Sequence, residues 1–153
     1  MTNADKPVVI RPLRPEDMAE WRDLWTAYLA FYNTVLPDAT FESSFARMLG
    51  DDPQDYHGLV AEHDGRIVGL THYVFHRHGW QIADVCYLQD LYADPSVRGM
   101  GVGRALIEAV YAAADVAGAP RVYWNTQQDN TTARQLYDRL ATLTPFVKYN
   151  RLP

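Results

Sequence analysis

The sequence holds a single cysteine, Cys86, and so has no internal disulfide. A reducing compartment suits that composition, and the cytoplasm is the expected location. Cys86 lies in the apolar run DVCYLQDLY, where a buried structural thiol is expected rather than a nucleophile. Positive charge is also in deficit. Lys and Arg total 14 against 19 Asp and Glu, for a net charge of −5, which argues against a protein that tracks nucleic-acid phosphates. No hydrophobic run approaches a membrane span, and the first ten residues, MTNADKPVVI, lack the basic and apolar regions of a signal peptide. Repeats, linkers and low-complexity tracts are missing too, so residues 1–153 are read as one domain. Covalent catalysis finds no Cys/His or Ser/His/Asp set. The histidines, at positions 57, 63, 72, 76 and 78, show no metal-ligand spacing, and no metal is expected.

What is present is an ordinary globular composition, 48% hydrophobic and 22% charged. The aromatic residues, Tyr 10, Phe 5 and Trp 4, suit a thick core or a pocket for a flexible organic ligand. PVVIRPLR reads as a first strand closed by Pro12 and Pro15. From Pro15, apolar residues at Met18, Trp21, Leu24, Trp25, Tyr28, Leu29 and Tyr32 recur at helical intervals. ATFESSFARMLG is a shorter helix with Gly50 as its C-cap. In HGLVAEHDGRIVGLTHYVFH, two β-rich runs flank an Asp-Gly hairpin turn. WQIADVCYLQDLYAD continues as a strand stopped by Pro95, and a long helix from Val102 ends at Gly118 and Pro120. RVYWNT is a strand, NTTARQLYDRLA a helix and FVKYNR a last strand. The order implies a mixed α/β sheet.

At SVRGMGVGRALIEAV, Gly99, Gly101 and Gly103 alternate at the mouth of the long helix. Such glycines permit positive φ and remove the β-carbons that keep a ligand off the backbone. The first amides of the helix are unpaired, and its dipole favours an anion there. Arg98 and Arg104 add charge-assisted donors. A P-loop needs a lysine after its glycines, and none follows here. The dinucleotide fingerprint fails as well, since position 106 is leucine and the loop lies two-thirds along the chain.

The spacing R-x-x-G-x-G, met by Arg98, Gly101 and Gly103, resembles the acetyl-CoA motif of the GCN5-related N-acetyltransferases. YLQDLYADPSVRGMGVG resembles that family's fourth strand, turn and pyrophosphate loop, and VYWNTQQDNTTARQLYDRL its fifth strand and following helix. The resemblance implies a single-domain α/β fold with a mixed, mostly antiparallel sheet, splayed central strands and flanking helices. It implies acetyl-CoA as co-substrate, held by Leu91, Tyr92 and Ala93 on the strand, Arg98, Gly99, Met100, Gly101, Val102, Gly103 and Arg104 in the loop, and Asn130 and Ala133 beyond.

The resemblance also makes Tyr137 the acid that protonates the departing thiolate. Tyr137 equally fits the apolar stripe of its helix, and Asn130 equally fits an N-cap. Where polyamine-acetylating relatives carry a glutamate, this chain has Gln89, which cannot accept a proton. Asp90, His72, less readily His76, or a water chain remain as bases, and Asp90 fits a structural role as well. Tyr28 and Tyr32 are expected to wall the acceptor site with Gln89, complemented by Glu20 or Glu62. GLTHYVFH, with YLQDLY, VYWNT and the terminal FVKYNR, resembles the branch with yeast histone, polyamine and D-amino-acid N-acetyltransferases, which implies a primary-amine acceptor, direct attack and a homodimer, in some members with exchanged C-terminal strands. Acetylation of protein amines, transfer of another acyl group and a non-catalytic acyl-CoA sensor are the alternatives.

Overall fold

The first strand, β1 (Val8–Pro12), is followed by a 3-10 turn over Pro15–Asp17 and then by α1 (Met18–Phe31) and α2 (Asp38–Leu49). The computed structural model describes residues 6–153, so the start of the segment read for a signal peptide lies outside it. Three antiparallel strands come next: β2 (His57–His63), β3 (Arg66–His76) and β4 (Val85–Ala93). A 3-10 turn over Pro95–Val97 leads through the glycine loop to α3 (Val102–Val116), then β5 (Val122–Tyr123) and α4 (Thr131–Leu140). The five strands form one sheet in the order β1-β2-β3-β4-β5, antiparallel except for the parallel pair β4–β5. This is the mixed, mostly antiparallel sheet expected.

One face of the sheet buries Trp21, Leu24 and Trp25 of α1 and Phe41 and Phe45 of α2 against Val60, Ile67 and Leu70. The other face receives Val102, Leu106, Ile107, Val110 and Ala114 of α3. The helix approaches closely because β3 carries Gly69, where a β-carbon would stand 2.7 Å from Val102 Cγ1. The β2–β3 turn is the expected one: Asp64 and Gly65 have φ of 51° and 74°, as a type I′ hairpin requires. At the end of α1, Asn33 takes φ 53° while the amide of Thr34 donates to the Leu29 carbonyl at 2.9 Å, closing the helix.

Two irregularities of the sheet open a cleft beside β4. Tyr73 pairs with Leu88 and His72 with Asp90, so Gln89 opposes no residue of β3 and forms a bulge. The extra residue shifts the phase of β4: Leu88 packs toward α3, whereas Asp90 and Tyr92 turn toward α1. The strands β4 and β5, moreover, pair only at Cys86–Val122 and Tyr87–Tyr123 and part beyond, the splay the fold class implies.

Several boundaries differ from those read in the sequence. The strand expected from Trp80 starts at Val85, and Trp80 is 88% exposed in the preceding loop, with no strand alongside to pair it. RVYWNT shortens to Val122–Tyr123 because β4 has bent away. Gly50 ends α2, but in extended backbone rather than a left-handed cap. FVKYNR forms no strand: Phe146, Val147 and Tyr149 are exposed, and among the described residues no strand pairs with them.

Candidate active site

The glycine loop lies where α3 begins, on the side where β4 and β5 separate. Gly99 and Gly101 have φ of 82° and 76°, and a β-carbon at either would meet nothing within 4 Å. Both are therefore needed for conformation, and both leave the backbone open. The first bond of the helix runs from the Ala105 amide to the Gly101 carbonyl at 3.0 Å, leaving the amides of Val102, Gly103 and Arg104 without backbone partners. Val102 anchors the turn with its buried side chain, so only its amide faces the loop, and Met100 packs beside it. Gly103 differs from its neighbours: its φ is not positive, and its missing β-carbon admits Leu136 of α4, whose Cδ2 would lie 3.4 Å away. Arg98 is exposed beside the loop, while Arg104 is held along the helix by Glu108, Nε to Oε1 at 2.9 Å.

Past the bulge, Leu91 and Ala93 lie half-buried toward α3 and Tyr92 toward α1, its ring centroid 6.0 Å from that of Tyr28. Gln89 itself is exposed where the strands diverge. Asp90 is buried, and its Oδ2 lies 2.8 Å from His72 Nδ1. The other ring nitrogen of His72, Nε2, accepts the indole N–H of Trp21 at 2.9 Å. Both nitrogens of His72 are thus occupied, and the ring has no free lone pair for a substrate. His76, four residues on, is exposed and bonds Tyr123 and the Arg77 carbonyl.

Tyr28 and Tyr32, one helical turn apart, meet edge to face at 5.1 Å. Burial, followed by the adjacent Asp90 carboxylate, raises the Tyr28 phenol well above the ordinary tyrosine range. Tyr137 is half-buried on α4, edge-on to Trp124 at 5.4 Å. Burial, with a smaller contribution from Tyr32, pushes it up to about 12. A cleft of about 830 Å³ reaches Tyr137 from the other side, between Tyr87, Trp124 and Asn125 and the tail residues Phe146 and Val147. Asn130 stands at the N-cap position of α4 but does not cap with its side chain; Nδ2 donates instead to Thr126 Oγ1 at 3.4 Å. Ala133 follows on the half-buried side of the helix.

The two acidic residues read as complements to the aromatic wall stand elsewhere. Glu20 accepts the Ile67 amide at 2.9 Å, and Glu62 pairs with Arg11 at 2.7 Å. Cys86 is fully buried, its thiol pushed up to about 12 by burial, as expected of a structural cysteine. Among the described residues, no cluster of three His, Cys, Asp or Glu is placed to hold a metal ion, and no helix is long and apolar enough to cross a membrane. Sequence reading missed Trp21 as a partner of His72. The helical pattern marks Trp21 for the core, and nothing local distinguishes its N–H.

Splayed strands, a left-handed glycine turn at a helix mouth and a tyrosine on the following helix are the architecture of the GNAT acetyltransferases, and the chain belongs to that family, whose model matches residues 18–141. It is 37% identical to the D-amino-acid N-acetyltransferase HPA3 of Saccharomyces cerevisiae over 145 residues, spanning 94% of this chain and 90% of the yeast protein. Its fold superposes on the aminoglycoside acetyltransferase AAC(6')-Iy, solved with a bisubstrate analogue of CoA and acetylneamine, with TM-score 0.82, 22% identity and coverage of 96% and 99% of the two chains. A ribosomal-protein-alanine N-acetyltransferase from Brucella melitensis biovar Abortus 2308 gives TM-score 0.78 at 18% identity, covering 95% and 99%.

Proposed function

We propose that this acetyltransferase moves the acetyl group of acetyl-CoA to a primary amine of a small molecule by direct attack. The observation that carries the reading is the meeting of two halves: an open left-handed glycine cradle, and a buried Asp90 beside Tyr28 at the parting of β4 and β5. The amides of residues 99 and 101–104 fit the pyrophosphate, with Arg98 beside them. The unpaired edge of β4 at Leu91, Tyr92 and Ala93 fits the pantetheine amides as a strand would. Asn130 and Ala133 line its path.

The acceptor enters beside Tyr28, Tyr32 and Gln89. An acceptor arriving as an ammonium ion first gives a proton to Asp90; the freed lone pair attacks the thioester carbonyl, the C–S bond breaks, and the nitrogen's second proton passes to solvent. Tyr137 donates to the departing thiolate and regains its proton from solvent. His72, with both ring nitrogens bonded, stands behind Asp90 rather than in contact with the amine. The yeast relative's name makes D-amino acids the first acceptors to try.

The test is thiol release from acetyl-CoA with D- and L-amino acids, polyamines, aminoglycosides and a lysine peptide, alongside calorimetry with CoA. Turnover with a small amine is expected. Turnover with the peptide alone reassigns the acceptor to protein amines. CoA binding without turnover marks a sensor, and absence of CoA binding removes the reading.

The same proposal includes a homodimer, supported by the exposed Leu143, Phe146, Val147, Tyr149 and Leu152 of the tail and by the open edge of β5. A reducing cytoplasm is proposed from the lone, buried Cys86.

A further inference from the structure

Trp21, His72 and Asp90 come from three elements and are 0%, 4% and 6% exposed. An indole N–H only donates, so the 2.9 Å contact places a lone pair, and no proton, on His72 Nε2. The single ring proton therefore sits on Nδ1 and is donated to Asp90 Oδ2 at 2.8 Å. A second proton on the imidazole would set two N–H donors against each other in a dry site. Trp25, edge-on at 5.0 Å and 88°, closes the ring on another side. Although His72 and Asp90 stand at ion-pair distance, a donor on Nε2 and an acceptor on Nδ1 are the partners of a neutral imidazole. Among the described residues, no Lys or Arg stands at ion-pair distance from Asp90.

The polar groups facing the pair are Tyr28 and Tyr32 of α1 and, beyond them, Tyr137 of α4. On the other sides, α2 presents Phe41 and Phe45, and β2 presents Gly58 opposite His72. None of these is a cation. A buried carboxylate without a cation is unfavourable unless one arrives.

We propose that Trp21 and His72 are positioning residues: the indole locks His72 as the neutral Nδ1–H tautomer, and the locked ring keeps Asp90 an uncompensated anion that selects acceptors arriving as alkylammonium ions. This rests on the proposed acetyltransferase activity. Arylamines and alcohols, uncharged near neutrality, gain nothing from such a carboxylate. A His72 able to protonate would neutralise the site by pairing with Asp90 itself.

Long-range 15N–1H NMR of the histidine rings, with His72 assigned through His72→Asn, tests the lock without any turnover. In the wild type, His72 is expected to show a protonated Nδ1 and a bare Nε2 at neutral pH. In Trp21→Phe, with no donor facing Nε2, the ring is expected to lose that fixed tautomer and to bind a second proton when the pH is lowered. In that variant at mildly acidic pH, KM for an alkylamine should rise about tenfold while KM for acetyl-CoA stays put. A wild-type His72 that at neutral pH carries its proton on Nε2, or carries one on both nitrogens, overturns the proposal, even if Trp21→Phe fails to fold.

A second pair of variants reads the same point in kinetics. His72→Asn keeps a donor where Nδ1 stood, whereas His72→Leu removes it and should move the acid limb of kcat/KM upward by about one pH unit relative to Asn. Coincident limbs overturn the role. A wild type that acetylates no amine defeats the acetyltransferase reading while leaving the tautomer measurement standing, so the two failures are distinguishable.

Discussion

Tyr137 keeps its proton at neutral pH, because burial pushes it up to about 12. An acid must be protonated to act, so, if the proposed role holds, loss of activity with rising pH near neutrality is expected to trace to another group. Tyr137→Phe should lower kcat about 100-fold while CoA affinity, read by calorimetry, is unchanged. Unaltered turnover with chemistry rate-limiting removes the role. Gly101→Val attacks the other half of the site. A side chain there would sit at φ 76° in the space proposed for phosphate, so CoA should bind at least about tenfold more weakly. At this scale the sequence was readable where a residue type has one physical use, as with Gly99 and Gly101. Gly103 looked the same, but its missing β-carbon also admits Leu136, a packing role no local pattern reveals because Leu136 lies far along the chain.

The joint between β1 and α1 is an ionic clamp. Arg11 meets both oxygens of Asp17 at 2.8 and 2.9 Å, and the Arg14 amide adds a third bond at 2.7 Å. These contacts, the Arg11 bond foremost, hold the Asp17 carboxyl below the ordinary range. A carboxylate so depressed stabilises the fold fully above its unfolded value, about 3.9, and loses that contribution as pH falls through the lower folded value. Asp17→Asn should therefore cost about 3 kcal/mol in urea unfolding at pH 7, and the gap from wild type should narrow below about pH 4. Chemistry confined to one turn was legible: Asp64-Gly65 named its own hairpin. The bulge at Gln89 was not, because the run Leu88-Gln89-Asp90-Leu91 suits either phase of a strand, and only pairing with β3 settles it. The Trp21–His72–Asp90 chain spans 51 and 18 residues of sequence, beyond the reach of any local pattern.

For the molecule as a whole, the last residues are the part without a place. Leu143, Phe146, Val147, Tyr149 and Leu152 are all at least 71% exposed, an apolar tail beside an open sheet edge. With the proposed exchange of tails, the full chain should sediment as a dimer and a chain ending at Thr142 as a monomer. A full chain that stays monomeric at micromolar concentration removes that reading. FVKYNR carries the alternation of a strand but forms none; the proposed dimer predicts that it pairs with a second copy.

The bulge at Gln89 also bears on why β4 and β5 stay apart. Deleting that one residue would leave Leu88 and Asp90 on their present faces but would let the strand run straight. Pairing could then continue past Tyr87 and Tyr123. The expected product is a sturdier, zippered sheet that melts at higher temperature and admits no thioester, its cleft kept open until then by a single unmatched amide.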